Sequence, residues 1–269
     1  MNAQQDTGRG IRIESVGGPT AILEIGGVRL ITDPTFDEPQ EYDLGPGRLL
    51  AKTAASALGP DDVGPVDAVL LSHDQHVDNL DVSGRAYLAR VPLVLTTLSA
   101  TERLSGACQA VDLWKHVDLR RPDGDVLRVT RVPALHGPAG TEHLVGEVAG
   151  FVLSGEGVPT VYVSGDNASL DVVRAVAERF ERIDVAVLFA GAARIGLIDG
   201  FLTLTGRQAA QAARILSAPH VVPVHFDMWG HFTEGAPELA GAFAEAGLGS
   251  RLTLLAPGES TVVADAQED

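Results

Sequence analysis

The chain has 269 residues, enough for a sizeable core, with 45 % hydrophobic and 21 % charged residues. Its 20 basic and 36 acidic residues leave a formal net charge of −16, a field that opposes long nucleic acid and anionic membrane surfaces. A single cysteine, Cys108, excludes an intrachain disulfide and points to a reducing, cytoplasmic setting; neither a signal-peptide core nor a run of about 18–20 apolar residues is visible.

Residues 1–10 are polar and read as a disordered tail. Stretches 11–16, 20–25 and 28–32 are rich in β-branched residues and separated by Gly17-Gly18-Pro19 and Gly26-Gly27, the pattern of a β-meander with tight turns. The third runs into Asp33-Pro34. Residues 36–64 form a long excursion with several prolines and acids, read as a rim or lid with one short helix around 48–56. The apolar run 67–71 reads as a buried strand ending abruptly in Ser72-His73-Asp74-Gln75-His76-Val77-Asp78-Asn79. Helical spacing follows over 80–89, then a strand at 93–96 and a helix at 99–106 capped by Ser99.

A strand at 126–133 delivers His136. Strands at 147–153 and 160–163 are split by Gly155-Glu156-Gly157, and the second ends in Ser164-Gly165-Asp166-Asn167. Then come a helix (169–180), a strand (185–189), and a Gly/Ala loop (190–196) whose Arg194 suits either a substrate anion or plain solvent. A helix (206–217), a strand (221–224) ending in His225, a helix (237–245) and closing strands at 251–255 and 261–263 complete the chain. Antiparallel meander followed by strand–helix alternation, repeated from about residue 126, predicts an α/β fold. The expected form is an αββα sandwich of two mixed β-sheets with helices on the outer faces, in a single domain over 1–269.

The informative feature is a recurring event. Strands end in or just before Asp33, His73, Asp166 and His225, and His136 follows another after a short extension. Each has a plainer reading alone: an interior hydrogen-bonded histidine for His136 or His225, a helix cap for Asp166, an Asx-turn for Asp33. Strand ends on one edge of a layered α/β fold converge, however, and imidazole with carboxylate suits one or two first-row metal ions. A bridging carboxylate such as Asp166 would let two ions sit about 3.5 Å apart. His231, close behind His225, is placed to reach the pocket, whereas His116, His143 and His220 read as surface or supporting residues.

Ser72-His73-Asp74-Gln75-His76-Val77-Asp78-Asn79, with His136, Gly165-Asp166, His225, the Thr32-Asp33-Pro34 turn and Pro223-Val224-His225-Phe226, resembles the metallo-β-lactamase fold superfamily. Within it, the likeness is to lactonase-like hydrolases similar to ascorbate-6-phosphate lactonase. The family pattern is Thr/Ser-His-x-His-x-Asp-His; here one residue is inserted between His73 and His76, and Asn79 stands where the third histidine belongs. Aligning on Asp78 keeps His-x-Asp spacing and two imidazoles, whereas aligning on His73 puts Gln75 in the second position.

Under the first alignment the resemblance implies His73, His76 and His136 at one metal site and Asp78, Asp166 and His225 at a second. It implies one or two divalent ions, zinc foremost, with manganese or iron as alternatives. Asp78 would orient the attacking water or shuttle its proton, and His231 would help hold developing negative charge. The expected function is hydrolysis of a lactone, ester or similar small substrate. The alternatives are a phosphodiesterase of the same fold and a non-catalytic metal- or ligand-binding protein. A homo-oligomer is compatible with the sequence; a membrane partner is not expected.

Overall fold

The computed structural model describes residues 10–45 and 49–264. The expected tail therefore lies outside the described residues except for Gly10, which already pairs with Ala264. Strands β1 (Gly10–Gly17), β2 (Thr20–Ile25) and β3 (Val28–Thr32) form the anticipated meander. Gly26 and Gly27 both take positive φ (56° and 77°), the two-residue turn that matches strand twist.

The excursion that follows differs from expectation. Residues 49–52 are not helical: β4 (Gln40–Asp43) and β5 (Leu49–Lys52) form a two-stranded antiparallel ribbon. The backbone at the end of β5 and just past it is claimed by a distant segment, with Gly230 N–H donating to Ala51 O (2.9 Å) and Thr53 N–H to Met228 O (2.7 Å). Those tertiary bonds override the local helical preference.

Parallel strands β6 (Ala68–Leu70), β7 (Val94–Thr96) and β8 (Cys108–Ala110) extend the meander. With the C-terminal β15 (Ser260–Ala264) they give a sheet ordered β15-β1-β2-β3-β6-β7-β8. The second sheet comprises β9 (His116–Arg120), β10 (Val126–Pro133), β11 (Ala149–Gly155), β12 (Val158–Val163), β13 (Val185–Phe189) and β14 (His220–Val224). Its order is β14-β13-β12-β11-β10-β9, antiparallel from β9 to β12 and parallel from β12 to β14.

The alternation of side chains along a strand sorts the core into layers. Ile13, Leu23 and Leu30 of one sheet share a cluster with Val129, Phe151 and Val187 of the other, the packed interior of the sandwich. On β13 the alternate residues Ala186 and Leu188 turn outward instead. They pack under α4 (Leu170–Arg179), α5 (Gly206–Ile215) and α6 (Ala236–Glu245), against Val173, Ala209 and Phe243. Ile22, Ile31 and Val69 on the first sheet's outer face meet Tyr87 of α1 (Val82–Tyr87). The expected αββα sandwich of two mixed sheets is the fold found.

Smaller corrections concern ends. Helix α2 covers only Leu98–Thr101, with Thr97 rather than Ser99 as its cap, and a short α3 (Glu142–Val145) was not anticipated. The expected strand at 251–255 is a short 3-10 turn (Gly249–Arg251) followed by one bridge from Leu252 to Val221. Strands β8 and β9 escaped notice because both are short and polar; β9 is an edge whose residues are at best half-buried. No helix among the described residues is long and apolar enough to cross a membrane.

Candidate metal centre

The strand ends do converge. His73 and His76 follow β6, His136 follows β10, Asp166 follows β12 and His225 follows β14. Nε2 of His73 lies 2.9 Å from Nδ1 of His76, which lies 3.1 Å from Nε2 of His136. Asp166 Oδ2 is 3.6 Å from that His136 nitrogen. The other Asp166 oxygen is 3.4 Å from His225 Nε2, which is also 3.4 Å from Asp78 Oδ2. Two ligand-competent groups result, His73/His76/His136/Asp166 and Asp78/Asp166/His225, each with its donor atoms within 4.8 Å of one another.

The surroundings favour the neutral imidazole at His73 and His76 and the ionised carboxylate at Asp78 and Asp166. His136 Nδ1 faces the carbonyl oxygen of Leu202 at 2.8 Å. A carbonyl only accepts, so Nδ1 carries a proton and Nε2 is the ring nitrogen turned into the cluster. Burial, then the neighbouring His76, holds the His73 imidazolium pKa well below its usual value. Burial and then His136 lower that of His76. On the other side the balance reverses. Burial alone would lower His225, but Asp166 and Asp78 push it up to about 10. Burial likewise works against ionised Asp78, yet His231 and His225 prevail and hold it well below the usual carboxylate range. For Asp166, burial is outweighed by His225 and His136, which lower it. His225 is fully buried with neither ring nitrogen hydrogen-bonded, and two carboxylates face its Nε2. That orphaned donor beside paired anions fits a divalent cation.

Local backbone features hold the ends in place. Asp166 is not a helix cap: Ser169 caps α4, its side chain accepting from Val172 N–H. Gly165 has φ 55°, and a Cβ there would lie 2.3 Å from Ala149 O, so glycine alone permits the turn that presents Asp166. His225 sits at φ 59°, a strained conformation for a non-glycine residue, with its N–H donating to Gly18 O (2.7 Å).

Other expected residues resolve as follows. Gln75 is exposed and lies against Gly146, so it is His76 that turns into the cluster, as alignment on Asp78 requires. Asp33 lies behind the cluster instead of in it. It accepts from Ser72 N–H and Ser72 Oγ (2.6 Å each) and from Asn79 Nδ2 (3.1 Å), and burial raises it to about 7. Ser72 Oγ is in turn 2.9 Å from His73 Nδ1. Asn79 spends its amide N–H groups on Asp33 and on Asp166 Oδ1 (3.3 Å). His231 Nε2 is 3.1 Å from Asp78 Oδ2. The Arg194 side chain lies beside Asp199 and over the Phe201 ring, half-exposed, and only its backbone N–H reaches toward the site, donating to His231 O (3.0 Å).

Two features had been missed. Ser72 links Asp33 to His73, and its position directly before a strand-end histidine was the available signal. An apolar wall of Tyr42, Leu50, Val77, Trp229 and Phe232 stands beside the central motif. Nothing local marks its members, because the ribbon and the 228–232 segment meet only in three dimensions.

An αββα sandwich with a histidine–aspartate cluster at the strand ends defines the metallo-β-lactamase class of architecture. Residues 28–226 match the family described as "Beta-lactamase superfamily domain", and the chain belongs to that superfamily. A metal-dependent hydrolase of Pyrococcus furiosus is 26 % identical over 212 residues, covering 79 % of this chain and 88 % of that protein. One from Pyrobaculum aerophilum is 28 % identical over 258 residues, covering 93 % and 98 %. Among solved structures, an isothiocyanate hydrolase from Delia radicum gut bacteria superposes with a TM-score of 0.81 at 20 % identity, covering 94 % of this chain and 99 % of that one. The expected superfamily and fold are thereby shown, and the expected hydrolase class agrees with the names these relatives carry.

Proposed function

We propose that this protein is a metal-dependent hydrolase acting on a small lactone, ester or similar electrophile. The observation that carries the reading is the two-sided use of Asp166, one oxygen toward His136 and the other toward His225. His73, His76 and His136 would hold one divalent ion, and Asp78 with His225 a second, with Asp166 between them. Zinc is the first assignment, since imidazole and carboxylate donors suit it; manganese or iron fits the same set. When bound, such an ion supplies Lewis acidity, easing deprotonation of water and polarising the electrophilic oxygen.

The chain's own residues do the rest. Asp78 orients the attacking water and takes its proton; attack on the acyl carbon breaks the ester C–O bond, and the leaving oxygen receives that proton. The apolar wall excludes bulk water and favours a substrate with an apolar portion. The net charge of −16 supports a small substrate over long nucleic acid. β15 pairs with β1, which supports reading the chain as one hydrolase domain, and the lone half-buried Cys108 supports a cytoplasmic setting.

The test is elemental analysis of the purified protein, followed by assays on a lactone, a phosphodiester and an isothiocyanate, the last chosen for the structural neighbour's named substrate. Lactone turnover that disappears in His73→Ala together with bound metal supports the reading. Turnover of the phosphodiester alone replaces it with the alternative activity. Metal retained without turnover of any of the three overturns it.

A further inference from the structure

The central motif carries Asn79 where the superfamily pattern places an imidazole, and both amide N–H groups of Asn79 point to carboxylates. The loss would leave the group at Asp78 and His225 one nitrogen short. His231 reaches Asp78 from another part of the chain, at the edge of the group that Asp78, Asp166 and His225 form. Its Nε2 lies 3.1 Å from Asp78 Oδ2, the very oxygen that His225 Nε2 faces at 3.4 Å.

We infer that His231 is a metal ligand of the second site, supplying from the segment after β14 the imidazole that residue 79 no longer provides. The inference rests on the hydrolase reading above and extends it to the identity of the second donor set: Asp78, Asp166, His225 and His231. Two imidazoles and two carboxylates make a four-donor site of the kind that zinc, iron or manganese accepts.

The position is built. The chain leaves β14 at His225 with φ 59°, turns again at Met228 with φ 65°, and so doubles back toward Asp78. Arg194 N–H donates to His231 O (3.0 Å), and Gly230 N–H is bound to β5 at Ala51 O (2.9 Å). The Phe232 ring stands 4.7 Å from the His225 ring and 4.5 Å from that of His231, wedging both imidazoles toward one carboxylate. Left-handed non-glycine residues carry backbone strain, and such strain concentrates at functional sites. The side chain of His231 is 11 % exposed, so its removal opens no sealed core.

The experiment is metal stoichiometry of the full chain, loaded with zinc and desalted, with cobalt loading and visible absorption as a second readout. Wild type should hold two ions per chain. His231→Phe should hold one, with its cobalt spectrum reduced to the contribution of the first site, and His231→Asp should regain the second ion. Circular dichroism confirms folding; if His231→Phe does not fold, His231→Gln is read by the same criteria. Two ions retained in the folded non-ligand variant, or one ion in wild type, overturns the inference while leaving a hydrolase possible. Two ions lost to one in His231→Phe, with no turnover of any substrate by wild type, upholds the inference and sinks the hydrolase reading.

Discussion

Asp33 contacts none of the clustered donor atoms directly, yet it sets the orientation of one of them. Its carboxylate holds Ser72 through both backbone and hydroxyl, and the hydroxyl in turn meets His73 Nδ1. Partners behind a ligating histidine fix its ring and raise its basicity. Ser72→Ala should therefore weaken metal binding about 10–100-fold without unfolding the protein, as a competitive chelator titration would show. His136 has a comparable backing in Leu202 O, whereas the Nδ1 atoms of His225 and His231 are buried without a partner. We expect two steps in that titration, the ion at Asp78 and His225 leaving first. A single step with equal affinities would contradict this. At this scale the donors were legible because each follows an apolar strand. The choice of His76 over Gln75 was legible only through the spacing to Asp78, and the supporting role of Asp33 was not legible, because strand-end position does not reveal which layer a carboxylate serves.

Elements are tied together by polar groups as much as by apolar ones. Lys52, at the end of β5, is fully buried against Asp81 at 3.1 Å, and Asp81 also caps α1 by accepting from Gly84 N–H (2.7 Å). Removing one partner of a buried pair leaves the other uncompensated, so Lys52→Ala should lower unfolding stability by about 3–5 kcal/mol in urea titrations. The same helix start accepts help from Asp37, whose oxygens take Val82 and Ser83 N–H. Burial alone would raise Asp37, but hydrogen bonds from Ser83 and Tyr42 prevail and lower it from 3.8. A carboxylate depressed in the folded state contributes stability above its unfolded pKa and loses it as pH falls through the folded value. Stability should thus decline below about pH 4, and Asp37→Asn should flatten that decline. The ribbon itself was not legible as strand. Leu49-Leu50-Ala51-Lys52 has helical character in isolation, and its partners at 228–230 lie far along the chain. Alternation and paired glycines, by contrast, marked β1–β3 fully.

Across the whole molecule, the cluster spans both sheets. His73, His76 and Asp78 extend from the first sheet, while His136, Asp166 and His225 extend from the second. Ions that bind the folded chain alone stabilise it by mass action, about 4 kcal/mol when free metal is a thousandfold above Kd. Chelation should accordingly lower the melting temperature, and His73→Ala should reduce that sensitivity to what the second site contributes; an unchanged melting temperature on full metal removal would count against the cross-sheet site. A broader consequence follows from where the donors sit. Neither half of the chain contains a complete set, so a nascent or unfolded chain offers only scattered histidines and aspartates that compete poorly for metal. Metal capture becomes a late event, conditional on the two sheets having closed, and a chain starved of metal would be a folded but looser target for the cell's proteases.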